Sequence, residues 1–212
     1  MKKTIVLNFK GLQSWGESSK KITRDTIEFP TLSGVVGILQ SACGVYEENN
    51  DPLWEKITNI QMSILIVNPG LKQVDYQTAA NAVKMDCSAS KDTVVSYRYF
   101  LTDAHFLIAI TANQNLIEII AAGLKCPKNM LYMGRKAFPL NFDFFMGVHD
   151  GGNAEKILLN LLKNNGGKTN HTYYLVEESI TNEVHSMILW DKPLRNKKFA
   201  PRKIIKRGVL CS

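Results

Sequence analysis

The chain has 212 residues, 45% hydrophobic and 21% charged, with a formal net charge of +7; that is enough to bury a substantial core, in the proportions of an ordinary soluble globular protein. No apolar run approaches the roughly 20 residues needed to span a bilayer, and residues 5–9, behind Lys2 and Lys3, are too short for a signal-peptide core, so a cytoplasmic location is the default. Cys43, Cys87, Cys126 and Cys211 form no CxxC pair and have no matching histidine spacing, which argues against a disulfide framework or a zinc site and leaves free structural thiols.

Ile5, Leu7 and Phe9 alternate with Thr4, Val6 and Asn8, the period of a strand with one face in a core. A polar loop follows, Gly11-Leu12-Gln13-Ser14-Trp15-Gly16, and then Phe29-Pro30-Thr31-Leu32-Ser33-Gly34-Val35-Val36-Gly37, which reads as a helix start built from small residues. The first N–H groups of a helix lack intrahelical partners and lie at the positive end of its dipole, so this start is a ready anion site that Gly34 and Gly37 keep open. Val35, Ile38, Leu39 and Ala42 continue at helical spacing to a stop at Gly44. Met62, Ile64 and Ile66 predict a second strand, ended by the turn Asn68-Pro69-Gly70.

Residues 71–100 show little sustained periodicity but hold Lys72, Lys84, Lys91 and Arg98 beside Tyr76, Tyr97, Tyr99 and Phe100. An insertion of this length at a hairpin position reads as a projecting arm or thumb. Phe106, Ile108 and Ile110 predict a third strand, Leu116, Ile119, Ile120 and Leu124 a helix closed by Lys125 and Pro127, and Phe142, Phe144, Met146 and Val148 a fourth strand. The order strand, helix, strand, strand, helix, strand predicts an α+β, ferredoxin-like (RNA-recognition-motif-like) βαββαβ domain over residues 1–150, with the arm at 71–100 inserted. Beyond Asp150-Gly151-Gly152, a helix bearing Ile157, Leu158, Leu161 and Leu162, a turn at Asn164-Asn165-Gly166-Gly167 and strands near 173–176 and 187–190 predict a small β-rich region over 151–212, ending in a basic tail.

Charge is concentrated at the two ends: six Lys/Arg and one acid in residues 1–24, twelve against eighteen in 25–191, and eight against none in 192–212. Lys192, Arg195, Lys197, Lys198, Arg202, Lys203, Lys206 and Arg207 make up the tail. Alone it reads equally as a solvated terminus or as a surface for a polyanion; beside an anion-ready loop the second reading gains weight. Leu131-Tyr132-Met133-Gly134-Arg135-Lys136 adds a glycine that lets a ligand approach the backbone, two adjacent cations and an aromatic, which suit a phosphodiester with a stacked base. In a βαββαβ sheet this loop and the first can emerge at one edge and grip one strand.

The blocks Leu-Gln-Ser-Trp-Gly, Arg24 with Thr26, Phe-Pro-Thr-x-Ser-Gly-Val-Val-Gly, Asp75-Tyr76-Gln77-Thr78, Leu101-Thr102-Asp103-Ala104-x-Phe106 and Tyr132-Met133-Gly134-Arg135-Lys136 occur in order over residues 4–148. Together they strongly resemble the CasD family of the repeat-associated RNA-binding superfamily, the subunits that cap the 5′ handle of CRISPR RNA in type I-E Cascade surveillance complexes. The resemblance implies a non-catalytic RNA-binding fold with a thumb hairpin, no cofactor and no metal. Its implied partners are the RNA handle, the backbone subunit CasC, the large subunit CasA and, indirectly through the complex, target DNA, with no membrane. It further implies that Gln13, Ser14, Trp15 and Gly16 face the handle, that Arg24 and Thr26 support them, and that Ser33 and Gly34 present the helix start to phosphate. Arg98 matches the thumb arginine, and Gly134, Arg135 and Lys136 form the second grip. Ala137 and Phe138 precede Pro139 where family members often carry a small residue or cysteine before the proline, so local packing can differ there.

Other readings stand beside these. Trp15 can instead be a core anchor, Asp75 and Asp103 suit caps or turns, and Tyr76 either stacks on a base or packs under the thumb. A related subtype uses the corresponding subunit as the endoribonuclease that cuts repeat RNA, which makes catalysis the alternative. Metal-independent cleavage needs proton transfer, for which His105, His149, His171 and His185 are the candidates. None lies in a shared motif, and His105, within an alternating strand, reads as structural.

Overall fold

The computed structural model describes residues 1–16, 22–49, 51–83, 87–88, 92–168, 171–179, 186–196 and 198–211. Lys84 and Lys91 of the arm, His185 and Lys197 lie outside the described residues. The frame is one large, mostly antiparallel sheet with few helices. Its strands are β1 (Lys2–Gln13), β2 (Thr23–Arg24), β3 (Gln61–Asn68), β4 (Leu71–Ala79), β5 (Val94–Asn113), β6 (Phe145–Asp150), β7 (His171–Glu178), β8 (Ser186–Leu194) and β9 (Lys198–Cys211). The order across the sheet is β6-β1-β5-β3-β7-β9-β8, with β2 and β4 both pairing β5 off this path. β2 runs parallel to β5; the other pairs are antiparallel.

Among the described residues four α-helices cover the sheet: α1 (Leu32–Cys43), α2 (Pro52–Thr58), α3 (Gln114–Lys125) and α4 (Ala154–Asn164). The alternation read from the sequence decides what lies on each face. Ile5, Leu7 and Phe9 point to the main core with Ile64, Ile66, Phe106, Ile108 and Ile110, beneath α1 and α3. Val6, Leu65, Leu107 and Ala109 point the other way, where Leu158 and Leu162 of α4 meet Tyr173, Leu175, Val209 and Cys211. α1 begins at Thr31, whose hydroxyl accepts from Gly34 N, and stops at Gly44, whose φ of 67° few side chains tolerate.

β5 is the longest strand at 20 residues because it serves two partners in succession. Its second half lies between β1 and β3; its first half pairs β4 from Leu71↔Thr102 to Ala79↔Val94. Asp103, at φ 54°, marks the junction. The arm is therefore a hairpin that continues a core strand. Its weak periodicity has a physical cause: β4 is exposed almost throughout, so neither face carries the apolar alternation of a packed strand.

Three expectations change. The fourth strand, β6, starts at Phe145 rather than near Phe142, whose ring is fully exposed in the preceding turn. The basic tail is not a loose terminus: residues 198–211 form β9, inserted between β7 and β8, with Arg202, Ile204, Val209 and Cys211 buried. Its cations are largely used within the fold. Arg202 makes a two-pronged pair with Asp191, Arg207 bonds Glu155 and Glu177, and Lys206 reaches Glu28. Finally α2, begun by Asp51 and Pro52, and the short β2 were not anticipated. Cys43 and Cys211 are buried, Cys87 and Cys126 exposed, and all four are free thiols.

Candidate nucleic-acid interface

The first loop is built on buried side chains. Trp15 is 1% exposed and stacks on Phe9, with ring centroids 5.8 Å apart and planes 8° apart. Its indole N–H donates to Gln13 Oε1 at 3.0 Å, while the Gln13 amide donates to the carbonyls of Phe9 and Ala104. Every polar atom of these two side chains is thereby engaged. Thr26, also buried, accepts from Trp15 N at 2.8 Å, and Ile27 N donates to Trp15 O, which ties the returning chain to the loop. Gln13, Trp15 and Thr26 thus shape the loop from inside instead of facing outward. Ser14 donates its hydroxyl to Tyr99 O, and Gly16 is exposed.

The start of α1 likewise differs from the open cradle expected of Ser33 and Gly34. A Cβ on Gly34 would lie 2.8 Å from the Trp15 ring, so this glycine admits the indole. Leu32 N donates to the Asp191 carboxylate at 2.8 Å, and Gly34 N donates to Thr31 Oγ1. The anion that the helix dipole favours is supplied by β8 of the same chain. Nothing near residues 31–34 in sequence announces it.

The two loops do meet. Ser14 N donates to Met133 O at 3.1 Å, and Gly134, at φ 84°, lies so close that a Cβ there would collide with the Ser14 carbonyl oxygen. Only glycine answers both conditions. Arg135 then turns toward the hairpin, donating to Tyr99 O at 2.6 Å with its guanidinium 5.5 Å from the Phe138 ring and 6.0 Å from that of Phe100. Its Nη1 lies 3.6 Å from Asp75 Oδ2.

Three arginines from three separate segments converge here. Arg24 is the register partner of Arg98 across β2 and β5, and Asp75 is its partner across β4. Burial lowers the Arg135 pKa; Asp75 opposes this, and the charges of Arg98 and Arg24 add to it. Asp75 thus lies beside two of the three, paired with Arg135 and opposite Arg98 in register, while Arg24 lies on the far side of Arg98. Arg98 Nε and Arg135 Nη1 are buried without a hydrogen-bond acceptor. Such donors are costly when left unmade, so the cluster is short of acceptors within the chain. Lys136 is exposed nearby in sequence, and Tyr76, 62% exposed, packs against Tyr97 in an edge-to-face pair with ring centroids 5.6 Å apart.

Asp75, read as a cap or turn residue, is an ion-pair partner, and Tyr99, Phe100 and Phe138 are supports that no motif reading singled out. The Arg98–Phe100 and Tyr97–Tyr99 alternation was the available sign. His105 sits away from this cluster, its Nε2 2.9 Å from Asn8 Oδ1. Burial, reinforced by Lys10 and opposed by Asp143, lowers its pKa to about 4, which leaves the ring neutral near pH 7.

A profile of the CRISPR-associated protein (Cas_Cas5) family matches residues 4–207, and the chain belongs to that family. It is similar to the CRISPR system Cascade subunit CasD of Escherichia coli (strain K12), with 28% identity over 99% of this chain and 98% of that one. Among solved structures, a chain of a CRISPR RNA-guided surveillance complex shares its fold, with a TM-score of 0.79 at 21% identity over 97% of this chain and 90% of the other. A crystal structure of a Cas protein gives a TM-score of 0.69 at 27% identity, over 98% and 94%.

Proposed function

We propose that this chain is a type I-E Cascade subunit that binds and caps the 5′ handle of the CRISPR RNA, and so helps the complex recognise invading DNA. Family membership and the similarity to CasD support the assignment to the complex. The observation that carries the RNA role is the convergence of Arg24, Arg98 and Arg135 in one place, with Asp75 as the carboxylate paired to Arg135 and with Arg98 Nε and Arg135 Nη1 lacking a hydrogen-bond acceptor. Recognition is by positioning: the arginines and Lys136 neutralise and space the phosphates, Gly16 and Gly134 let the strand come close to the backbone, and Tyr76 stacks on an unpaired base. Gln13, Trp15, Thr26, Ser33 and Gly34 act from behind, holding the loop in shape.

In this reading β6-β1-β5-β3 with α1 and α3 is a ferredoxin-like core, a view supported by the strand order and antiparallel pairing. Residues 1–150 form the RNA-binding body, 71–100 its thumb and 151–212 a β-rich extension. The partners are the RNA handle and neighbouring subunits, CasC and CasA, with target DNA reached only through the complex. The chain acts in the cytoplasm; among the described residues no helix is long and apolar enough to cross a membrane.

The subunit is non-catalytic, a reading supported by the engagement of His105 with Asn8 away from the arginine cluster. Arg98→Ala and Arg135→Gln are each expected to weaken binding of single-stranded repeat RNA and to flatten the plot of log K against log salt by about 0.7 per lost phosphate contact. Fluorescence anisotropy across a salt series reads both quantities, and unchanged binding at low and high salt refutes the assignment. Incubation with repeat RNA tests the enzyme alternative: specific cleavage abolished by His105→Ala would overturn the non-catalytic reading.

A further inference from the structure

The basic strand β9 lines a groove that the arginine cluster does not include. Thr26, Glu28, Gly70, Lys72, Tyr174 and Lys206 border a space of about 550 Å³ between the returning first loop, the β3–β4 turn and the strand pair β7–β9. This volume is within the usual range for a small-ligand site. We propose that the groove is a second RNA subsite, which takes one unpaired nucleotide with its base on the Tyr174 ring and the flanking phosphates near Lys72 and Lys206. The proposal rests on the RNA-binding reading above and extends the path of the strand beyond it.

Three observations carry it. Tyr174 is 51% exposed, and its register neighbour on β9 is Gly208, which places no side chain beside the ring. Lys206 Nζ lies 5.2 Å from the Tyr174 centroid and 3.5 Å from Glu28 Oε2, so ammonium and ring are held together at one wall. At the arm's base Lys72 Nζ is 2.6 Å from Asp25 Oδ1 and 5.0 Å from the Tyr99 ring, and Asp25 directly follows Arg24. The groove therefore begins where the arginine cluster ends. Aromatic faces with cations spaced along an open path suit a passing single strand, because stacking accepts any base and each ammonium can meet a phosphate. Asp25 and Glu28 hold the two ammonium groups in place and offer acceptors to the amino groups of a base.

The test is anisotropy of the full chain with a short fluorescein-labelled single-stranded RNA of mixed sequence. Tyr174→Leu is expected to weaken binding roughly 5- to 100-fold, the range of one lost stacking contact, whereas Tyr174→Phe keeps it. Lys206→Gln should lower the salt slope by about 0.7. Melting curves accompany each variant; if Tyr174→Leu is destabilised, Tyr174→Phe and Lys206→Gln carry the test. Wild-type affinity and slope in Tyr174→Leu and Lys206→Gln, beside weakened Arg98→Ala, would overturn the groove and leave the RNA reading intact. Equal loss in Tyr174→Phe and Tyr174→Leu would overturn stacking. If the wild-type chain itself fails to bind the RNA, both readings fall. Ultraviolet cross-linking adds a direct readout: RNA joined to peptide 171–178 supports the subsite, and a protein segment captured there in its place refutes it.

Discussion

Arg135 is oriented by a carbonyl, a carboxylate and two aromatic rings, yet one of its buried nitrogens still lacks a hydrogen-bond acceptor. A side chain fixed so firmly has lost its rotamer freedom before any ligand arrives, which reduces the entropy cost of binding. His105 illustrates the opposite economy of charge. Its pKa in the fold, about 4, is below the ordinary histidine value of 6.5, so the unfolded chain binds more protons between these values. The neutral ring's contribution to stability is complete above about pH 6.5 and is lost as pH falls toward 4. With allowance for the solvent that still reaches the ring, the loss between pH 7 and pH 5 is about 1 kcal/mol. Urea unfolding of wild type and His105→Gln at both values measures it; the variant is expected to lose less stability on acidification.

At the scale of elements, the start of α1 and the strand pair β8–β9 depend on one buried carboxylate. Asp191 accepts from Leu32 N at 2.8 Å and from Arg202 at 2.9 and 2.7 Å, and the two side chains are 1% and 2% exposed. Asp191→Ala strands a buried guanidinium and is expected to cost about 3–5 kcal/mol in denaturant unfolding. The double change Asp191→Leu with Arg202→Met should recover much of that loss, since it removes the unpaired charge, though Leu32 N stays without its acceptor. α3 was legible because only one of its faces is buried, and β1 and β3, buried on both faces at their centres, because their apolar residues run together between polar ends. β9 was hidden: Arg202 occupies a core position, Arg207 is half-spent on ion pairs, and Pro201 interrupts the run, so a buried strand reads as a charged terminus. The interface was legible as motifs, in the glycine, arginine and lysine of residues 134–136. The inward turn of Gln13 was not, and that of Trp15 stood only as one of two readings, because both depend on Phe9, Ala104 and Gly34 packing together across the sheet.

At the scale of the whole molecule, the two chain ends that carry the excess positive charge are brought into one neighbourhood, with Lys206 of β9 reaching Glu28 beside the first loop. A solvated tail could be removed without harm, and β9 could not. Truncation after residue 197 deletes the strand between β7 and β8 and leaves Asp191 buried without its partner. The shortened chain is expected to lose cooperative thermal unfolding by circular dichroism and to accumulate as insoluble protein; a truncated chain that melts like the full one would contradict this account. The same placement orders events during synthesis. Domains tend to fold from the N-terminus as the ribosome extends them, but here the sheet closes only around its last strand. The carboxylate that caps α1 finds its arginine only after residue 202 has left the exit tunnel. A nascent chain can form the β1–β5 centre early, whereas the first loop takes its final frame only after β8 and β9 have been made.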